Sequence, residues 1–402
     1  MTRRYFLPAM AVATCLGLGK TATARALFGA GSWSGSGLRL RPGDAVPVGA
    51  IEEALDPLPA GLAGWDSRNN RLLGMLAGEI ASAVEAAIGR YGRHRVAVVI
   101  GTSTSGIAEG EAAVAWRQRH GSWPAGYHYR QQETGSGAAF LAHRLGLSGP
   151  AYVLATACSS GAKVFAAARR LIARGVADAA VIGAADTLCG LTLAGFRSLD
   201  SLSGAPCRPF SANRDGISIG EGGALFLMEP IPAEIALLGV GETSDAHHIS
   251  APDPAGTGAR EAMGQALADA GLAPSEIAWL NLHGTATLLN DAMESRAVAT
   301  LFGVGLPCSS TKAMTGHTLG AAGAVEAALV WLTLARSWNP EGVIPPHRWD
   351  GVTDPTLAPL TLVVPGCPLR ADGQVAAMSN SFAFGGSNCS LILGRGWDPE
   401  GP

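Results

Sequence analysis

Short apolar runs alternate with longer segments whose apolar residues recur at helical spacing. In the first half of the chain, residues 96–101, 152–157 and 178–183 are apolar runs, and the segments 77–92 and 162–175 have the helical period. A continuous apolar run of this length is typical of a strand that is covered on both faces. The alternation of such strands with amphipathic segments favours an α/β fold with a largely parallel sheet.

The same alternation returns in the second half of the chain, which predicts two similar α/β halves around one core. Their joint is expected near 230–234, where a proline-rich stretch breaks both patterns, so we divide the chain into 1–233 and 234–402. Segments 31–70 and 110–135 are rich in Gly, Trp and polar residues and are expected to be insertions around a site. The remaining elements are predicted, in order, as strands at 222–229 and 235–242, a helix at 259–271, a strand at 278–283, a helix at 291–303, a short strand within 306–310, a helix at 321–336, and strands near 374–381 and 388–394.

The first residues allow two interpretations. Two arginines precede an apolar run within 3–19, as in a secretory signal peptide, but the run also suits a first buried strand followed by a helix at 22–31. We favour the strand. Gly-Lys-Thr at 19–21 resembles a phosphate-binding loop, although that motif requires glycine where this chain has Thr14. No apolar stretch reaches the roughly 18 to 20 residues of a membrane helix, so no membrane span is expected.

Composition narrows the class of protein. The 402 residues are 48% hydrophobic and 15% charged, with a net charge of −3, which predicts a globular protein and argues against a nucleic-acid partner. The seven cysteines are scattered and form no Cys-x-x-Cys pair. This distribution favours reduced thiols and a cytoplasmic location over a disulfide framework.

Cys158 ends a predicted strand and precedes a predicted helix, the place where open α/β folds hold their reactive groups. The unpaired N–H groups and partial positive charge of a helix N-terminus lower a thiol pKa by about one unit. We therefore expect an appreciable thiolate fraction without a dedicated base. The small residues Ser159, Ser160 and Gly161 leave room for a substrate. By itself, the stretch also fits a buried structural cysteine.

Two histidines occupy similar junctions in the second half. His283 ends a predicted strand, and His317 lies in a glycine-bounded loop before a helix. Lys312, one of only three lysines, lies in the same loop, and its charge is expected to keep both imidazoles neutral and available as N–H donors. Near the C-terminus, Phe384 precedes two glycines in a turn that can present a backbone N–H to a substrate oxygen.

These stretches resemble the signature blocks of the elongating β-ketoacyl-[acyl-carrier-protein] synthases, the thiolase-fold condensing enzymes of type II fatty-acid and polyketide biosynthesis. The resemblance covers essentially the whole chain, and several blocks in the same order are far more specific than any one of them. It implies two βαβαβαββ-like halves related by pseudo-twofold symmetry, in five α-β-α-β-α layers, usually as a dimer. The matching blocks are residues 152–165, 207–229, 244–254, 281–291, 309–328 and 379–388.

The resemblance implies that Cys158 takes an acyl chain from the 4'-phosphopantetheine of an acyl carrier protein. His283 and His317 would bind the thioester carbonyl of a malonyl extender as its carboxylate leaves. The N–H groups of Cys158 and Phe384 would form the oxyanion hole, and Phe384 would also gate the entry of the chain. Supporting roles follow for Lys312 as the electrostatic lysine, Glu294 as its acidic partner, Asp291 beside it, Thr285 and Thr287 as pantetheine contacts, Phe382 in the gating block, and Ile217 in the pocket wall.

Two departures from the common pattern point to a subgroup. Many relatives carry glycine where this chain has Asn290, and phenylalanine where it has Ile217. With the stretches at 68–73 and 101–106, the chain most resembles the ketosynthases of bacterial aryl-polyene clusters, which elongate a rigid, conjugated, aryl-primed chain.

Three alternatives remain open at this stage. One is a primary fatty-acid elongating synthase with the same chemistry. A starter-type condensing enzyme or thiolase would replace the second histidine or add a second cysteine, and His317 argues against both. A catalytically silent chain-length-factor partner would lack the nucleophile, so Cys158 disfavours it.

Partners and cofactors follow from the same resemblance. It implies an acyl carrier protein, docked through basic surface, and either a homodimer or a heterodimer with a chain-length-factor-like chain. It implies no bound cofactor, and the histidines have no companions at metal-ligand spacing, so no metal is expected.

Overall fold

The computed structural model describes residues 4–29, 39–40, 46–369 and 373–397. The elements of the first half are β1 Tyr5–Thr14, β2 Gly17–Leu18, α1 Gly19–Phe28, β3 Arg39–Leu40, β4 Pro47–Gly49, α2 Arg68–Glu79, α3 Ala81–Tyr91, β5 Val96–Gly101, α4 Ile107–His120, α5 Ser136–Arg144, β6 Ala151–Leu154, α6 Ser160–Ala173, β7 Ala179–Asp186, α7 Gly190–Ser198, β8 Ile219–Gly220 and β9 Gly222–Glu229. Those of the second half are β10 Ile235–Ser244, α8 Thr257–Ala270, β11 Ile277–Asn281, α9 Leu288–Phe302, β12 Pro307–Ser309, α10 Lys312–Thr315, α11 Ala322–Leu334, β13 Thr361–Leu362, β14 Val375–Phe382 and β15 Ser387–Arg395.

The main sheet is built from the same five-stranded unit twice. Its strand order runs β6-β5-β7-β9-β1 in the first half and β12-β11-β14-β15-β10 in the second, with β13 added beside β12. In both units the first three strands are parallel and the last two join antiparallel. β1 and β10 connect the units through two antiparallel pairs, Tyr5 with Leu237 and Phe6 with Ala236. The two predicted halves and their pseudo-twofold relation are therefore present.

Helices lie between the two units and outside them. α6 and α11 share a buried apolar cluster with strands of both units, which places them in the middle layer. α2 and α5 cover the outer face of the first unit, and α8 and α9 cover that of the second. This is the α-β-α-β-α layering expected for the thiolase-like fold. Residues 230–234 connect β9 to β10, and the bounds 1–233 and 234–402 of the two halves stay a prediction.

The first turns of α6 and α11 approach each other at two glycines. A Cβ placed on Gly161 would lie 2.7 Å from the backbone nitrogen of Ala324, and one on Gly323 would lie 2.6 Å from that of Ala162. Only glycine allows two helix backbones to come this close. The crossing therefore brings together the segments that precede the two helices, which contain Cys158 and His317.

Most predicted elements are present, but several begin or end at other residues than predicted. The strand predicted at 152–157 ends at Leu154, because the chain turns there and Ala157 adopts a positive φ of 50°. The helix predicted at 77–92 is two helices, α2 and α3, that meet at Ile80. α2 begins earlier than predicted, at Arg68, and the hydroxyl of the preceding Ser67 caps it by accepting from the Asn70 N–H at 3.2 Å.

The predicted insertions are only partly irregular. Helix α4 starts before 110–135 and occupies its first part. Within 31–70, residues 31–38 and 41–45 lie outside the described part of the chain.

The N-terminal apolar run forms β1. Lys20, the lysine of the Gly-Lys-Thr stretch, lies in α1, and its ammonium donates to the Met10 carbonyl oxygen at 2.7 Å. In the described ranges no single helix is long and apolar enough to cross a membrane. Helices α2 and α3, which meet at an angle of 70°, are together long and apolar enough by length and composition alone.

Candidate active site

Cys158, His283 and His317 converge at the carboxyl ends of the parallel strands. Sγ of Cys158 lies 3.1 Å from Nε2 of His317. The rings of His283 and His317 are 5.4 Å apart, edge to face. All three side chains are buried, with exposed fractions of 7%, 1% and 2% in that order. The sequence prediction that these three residues act together is consistent with this geometry.

Neighbouring donors fix the proton positions on both imidazoles. Nδ1 of His317 accepts from the Leu319 N–H at 3.2 Å, and Nδ1 of His283 lies 3.2 Å from the ammonium of Lys312. A ring nitrogen that accepts carries no proton, so each neutral ring holds its proton on Nε2. Burial, and then the Lys312 charge, lowers the pKa of both histidines well below the ordinary value. The neutral state was predicted, but burial is a larger cause than Lys312.

Lys312 pairs with Glu326, which the sequence analysis did not identify. Its ammonium contacts the Glu326 carboxylate and donates to the carbonyl oxygen of His283. The prediction that Glu294 is the acidic partner of Lys312 is therefore wrong. Burial raises the pKa of Glu326 to about 7, against the opposing effect of Lys312. Glu326 is the only charged residue in the apolar helix α11. A single carboxylate in such a helix could have indicated a buried ion pair from the sequence.

Glu294 instead holds the backbone of the turn that carries His283. Its carboxylate accepts from the N–H groups of His283 at 2.8 Å and Gly284 at 2.7 Å, and from Nδ2 of Asn380 at 3.2 Å. Burial raises the pKa of Glu294 to about 7. These bonds reach His283 through its backbone, so Glu294 is a positioning residue for that side chain.

Asp291 and Asp186 anchor two further loops. Asp291 accepts from the N–H groups of Phe210 at 2.7 Å and Ala286 at 3.2 Å, and burial raises its pKa to about 6. Asp186, at the end of β7, accepts from the Thr104 N–H at 2.8 Å and the Ala321 N–H at 3.0 Å. It thereby ties the loop before α11 to the first half. The sequence analysis missed Asp186, although a lone carboxylate at the end of a buried strand was a usable signal.

Burial reverses the predicted acidity of the Cys158 thiol. The pKa of Cys158 is raised to about 11 by desolvation, which outweighs the Lys312 charge and the hydrogen bonds from the N–H groups of Phe384 and of Cys158 itself. The expected one-unit decrease was wrong because full burial can shift a pKa by up to about 3 to 5 units, more than a helix terminus supplies. The N–H groups of Phe384 and Cys158 both act to lower the thiol pKa, and their role as an oxyanion hole stays a prediction.

A cavity of about 220 Å³ leads to Sγ. The hydroxyls of Thr285 and Thr287 lie 3.0 Å apart on its wall, and the half-buried Phe384 ring lies 5.7 Å from that of Phe196. The Phe382 ring lies 6.1 Å from that of His283. Lys312, Glu294 and Asp291 do not line this cavity. The other predicted site residues do: Cys158, Ile217, His283, Thr285, Thr287, His317, Phe382 and Phe384. Across the described ranges, no group of three or more His, Cys, Asp or Glu side chains could hold a metal ion.

Two family models match consecutive parts of the chain. The model of the β-ketoacyl synthase N-terminal domain matches residues 76–232, and that of the C-terminal domain matches residues 234–347. Among curated proteins, a 3-oxoacyl-[acyl-carrier-protein] synthase 2 of Staphylococcus aureus (strain COL) is 35% identical over 273 residues, 62% of this chain and 62% of that protein. The chain thus spans less than two thirds of the length of the curated relatives that it matches first.

Solved structures are similar over nearly the full length. The ketosynthase ApeO of Xenorhabdus doucetiae, solved in complex with its chain length factor ApeC, is 44% identical with a TM-score of 0.91, covering 98% of both chains. The ishigamide ketosynthase/chain length factor is 25% identical with a TM-score of 0.85, covering 98% of this chain and 100% of that one.

Proposed function

Because the chain belongs to the β-ketoacyl synthase family, we propose that it is a 3-oxoacyl-[acyl-carrier-protein] synthase, an acyltransferase that extends an acyl chain by two carbons from malonyl carrier protein. The observation that carries this proposal is the buried contact of Cys158 Sγ with His317 Nε2 at 3.1 Å, beside His283. A nucleophile and two neutral N–H donors around one cavity match the needs of acyl transfer followed by carbanion formation.

Acyl transfer is the first step. Sγ of Cys158 attacks the carbonyl carbon of an acyl thioester carried on the 4'-phosphopantetheine of an acyl carrier protein. The bond from that carbon to the pantetheine sulfur breaks, and the Cys158 proton leaves with the pantetheine thiol. In this proposal the N–H groups of Cys158 and Phe384, which both act to lower the thiol pKa, bind the developing oxyanion. Since the free thiol has a raised pKa, loss of its proton and attack are expected to be coupled.

Decarboxylation of the malonyl thioester is the second step. The bond to the carboxylate breaks, CO₂ leaves, and the electron pair becomes an enolate whose oxygen accepts from Nε2–H of His283 and of His317. Neutral imidazoles suit this role because charge builds on the oxygen in the transition state and no proton has to be transferred. Lys312 and Glu326 form a fixed ion pair behind His283 and do not line the cavity.

Condensation completes the cycle. The enolate carbon attacks the acyl carbon on Cys158, a C–C bond forms, and the C–S bond to Cys158 breaks. The released thiolate takes a proton from solvent, and the β-ketoacyl product stays on the carrier. The three proposed steps use no cofactor bound to this chain, because both substrates are carried on the 4'-phosphopantetheine of the carrier protein.

The proposed acyl chain is of the aryl-polyene or polyketide type. The 44% identity to ApeO over almost the whole chain supports this choice, together with the aliphatic Ile217 in the cavity wall. A primary fatty-acid elongating synthase is the alternative, supported by the 35% identity to the Staphylococcus enzyme. Comparing turnover of aryl-dienoyl and saturated carrier thioesters distinguishes them: equal turnover, or preference for the saturated chain, contradicts the aryl-polyene proposal.

The proposed partners are an acyl carrier protein and a second chain of the same fold. ApeO and the ishigamide ketosynthase were each solved with a chain length factor, which favours a heterodimer here, with a homodimer as the alternative. The silent-partner alternative is disfavoured because Cys158 lies in contact with His317.

We also propose a cytoplasmic location, since the seven dispersed cysteines are all free thiols.

The decisive experiment follows the acyl chain by intact-protein mass. The purified enzyme, with its partner chain where one is needed, is mixed with acyl carrier thioester and then with malonyl carrier, with Cys158→Ala as the matched variant. We expect an acyl adduct on the wild type alone, discharged by malonyl carrier as a product two carbons longer. Undiminished condensation by Cys158→Ala, or no adduct with any chain on folded protein, would overturn the proposal.

A further inference from the structure

A third histidine, His347, is buried behind the turn that carries His283 and does not line the cavity. It follows α11, and 4% of it is exposed. Nδ1 of His347 accepts from the Ser310 N–H at 3.1 Å, and Nε2 lies 2.9 Å from the Pro209 carbonyl oxygen. Because an N–H can only donate and a carbonyl oxygen can only accept, the ring is neutral with its proton on Nε2. Burial lowers the pKa of His347 to about 4, in agreement with that state.

The two segments that His347 joins form the walls around Gly284, the residue after His283. A Cβ on Gly284 would lie 2.6 Å from the Cβ of Ser310 on one side and 3.0 Å from Cε2 of Phe210 on the other. The Ser310 hydroxyl also donates to the Gly284 carbonyl at 2.8 Å. Gly284 therefore has little freedom to move unless one of these walls moves.

Each wall is also held by a second buried group. The Lys312 N–H donates to the Ser310 hydroxyl at 3.3 Å. Phe210 adopts a positive φ of 61°, which is unfavourable for a bulky side chain, and its N–H is held by Asp291 at 2.7 Å. The conformation at Phe210 is thus imposed by tertiary contacts, and the Pro209 carbonyl just before it is bound by His347.

We propose that His347 is a positioning residue whose neutral imidazole fixes the Pro209 and Ser310 segments together and thereby sets the placement of His283 and Lys312 for enolate formation. The inference rests on the proposed function and adds to it a residue that contacts neither substrate nor the Cys158 thiol. Displacement of a reacting group by about 1 Å can cost about 100-fold in rate, so a small movement of the walls is enough to matter.

Three substitutions separate the two contacts. His347→Leu removes both. His347→Asn keeps a polar atom near the Nδ1 position, facing Ser310, and His347→Gln keeps one near the Nε2 position, facing Pro209. His143→Asn, at an exposed histidine on α5 outside the cavity, is the matched control.

The measured quantity is the ratio of two rates in the intact-mass assay: discharge of the acyl adduct by malonyl carrier, which needs His283, and formation of the adduct on Cys158. A ratio does not depend on how much of the protein is folded, so a general loss of stability leaves it unchanged. We expect the ratio to fall about tenfold or more in His347→Leu, to be intermediate in the Asn and Gln variants, and to be unchanged in His143→Asn.

Each outcome decides the inference. A ratio within twofold of wild type in His347→Leu overturns it, as does an equal loss of both rates. If the Leu variant yields no folded protein, the Asn and Gln variants decide by the same ratio. A wild type that forms no adduct contradicts the proposed function itself, whereas an active wild type with unchanged variants contradicts only the role of His347.

Discussion

At the scale of single residues, the groups around Cys158 titrate far from their ordinary values because they are buried. Desolvation raises the pKa of Cys158 to about 11 and that of Glu294 to about 7, and it lowers the pKa of His283 and His317. Each shift favours the neutral form, as burial in a medium of low dielectric requires. The neutral thiol and the neutral imidazoles are thus the resting state of the site.

The raised thiol pKa predicts how Cys158 reacts with iodoacetamide. Since only the thiolate reacts, the rate of alkylation should rise about tenfold for each pH unit between pH 7 and 9. Mass spectrometry of the Cys158 peptide measures the rate, and Cys158→Ala corrects for the half-buried Cys15 and Cys367. A rate that levels off below pH 8.5 would mean that the thiol is as acidic as the sequence alone suggested.

Removing one member of the buried pair of Lys312 and Glu326 should be costly. Glu326→Leu leaves the ammonium buried without its carboxylate, and we expect a loss of about 3 to 5 kcal/mol in the free energy of unfolding. The double variant Lys312→Met with Glu326→Leu should recover most of that stability but not the rate of adduct discharge. Urea denaturation measures the stability, with the exposed Glu341→Gln as a control expected within about 0.5 kcal/mol of wild type. A loss below about 1 kcal/mol in Glu326→Leu would show that the ion pair is not buried as described.

At the scale of elements, the contact between α6 and α11 assembles the site. Cys158 precedes one of these helices and His317 the other, and Gly161 and Gly323 let their first turns touch. The distance from Sγ to Nε2 therefore depends on two glycines that take no part in the chemistry.

Adding a single methyl group at this crossing should separate the helices. For Gly161→Ala and Gly323→Ala we expect a loss of about 1 to 3 kcal/mol in stability and a slower formation of the acyl adduct. Gly264→Ala in α8 is the matched control, because a Cβ there has nothing within 4 Å, and it should stabilise the protein by about 0.5 to 1 kcal/mol. Thermal unfolding and the intact-mass assay measure the two effects. Full adduct formation in both crossing variants would show that the helix spacing is not limiting.

At the scale of the whole molecule, the site needs both halves and the sheet has an open edge close to it. Cys158 comes from the first half, and both histidines come from the second. Strand β6 ends the main sheet and, among the described strands, pairs only with β5. Its side chains after Ala151 are only half-buried although they are apolar. An unpaired apolar edge strand is a surface that proteins usually cover.

We therefore expect a second chain of the same fold to cover the β6 edge. Light scattering of the chain, alone or co-expressed with a chain length factor, should give the mass of two chains, about twice 40.9 kDa. Ala151→Lys, at an exposed position of β6, should weaken the assembly, and Val304→Lys, exposed after α9, should not. A fully active single chain would contradict this prediction.

The sequence by itself determined the elements and the reacting groups. Apolar runs and helical spacing are local patterns, so they located β5, β9 and α8 to within a few residues. They placed Cys158 and His283 at the ends of predicted strands and His317 in a loop before a helix. The short motifs around these residues were specific enough to identify the family. The sequence could not give the depth of burial, because that depends on every layer packed around a residue.

Only the tertiary structure decided which groups pair and how they titrate. Lys312 contacts Glu326 and not Glu294, although both acids lie on helices near it in the chain. His347 joins Pro209 to Ser310, residues that are 101 positions apart in sequence. The Cys158 pKa is raised and not lowered, because desolvation of the buried sulfur outweighs the Lys312 charge and the nearby N–H groups. Pairing and desolvation are properties of three-dimensional packing, which no local pattern contains.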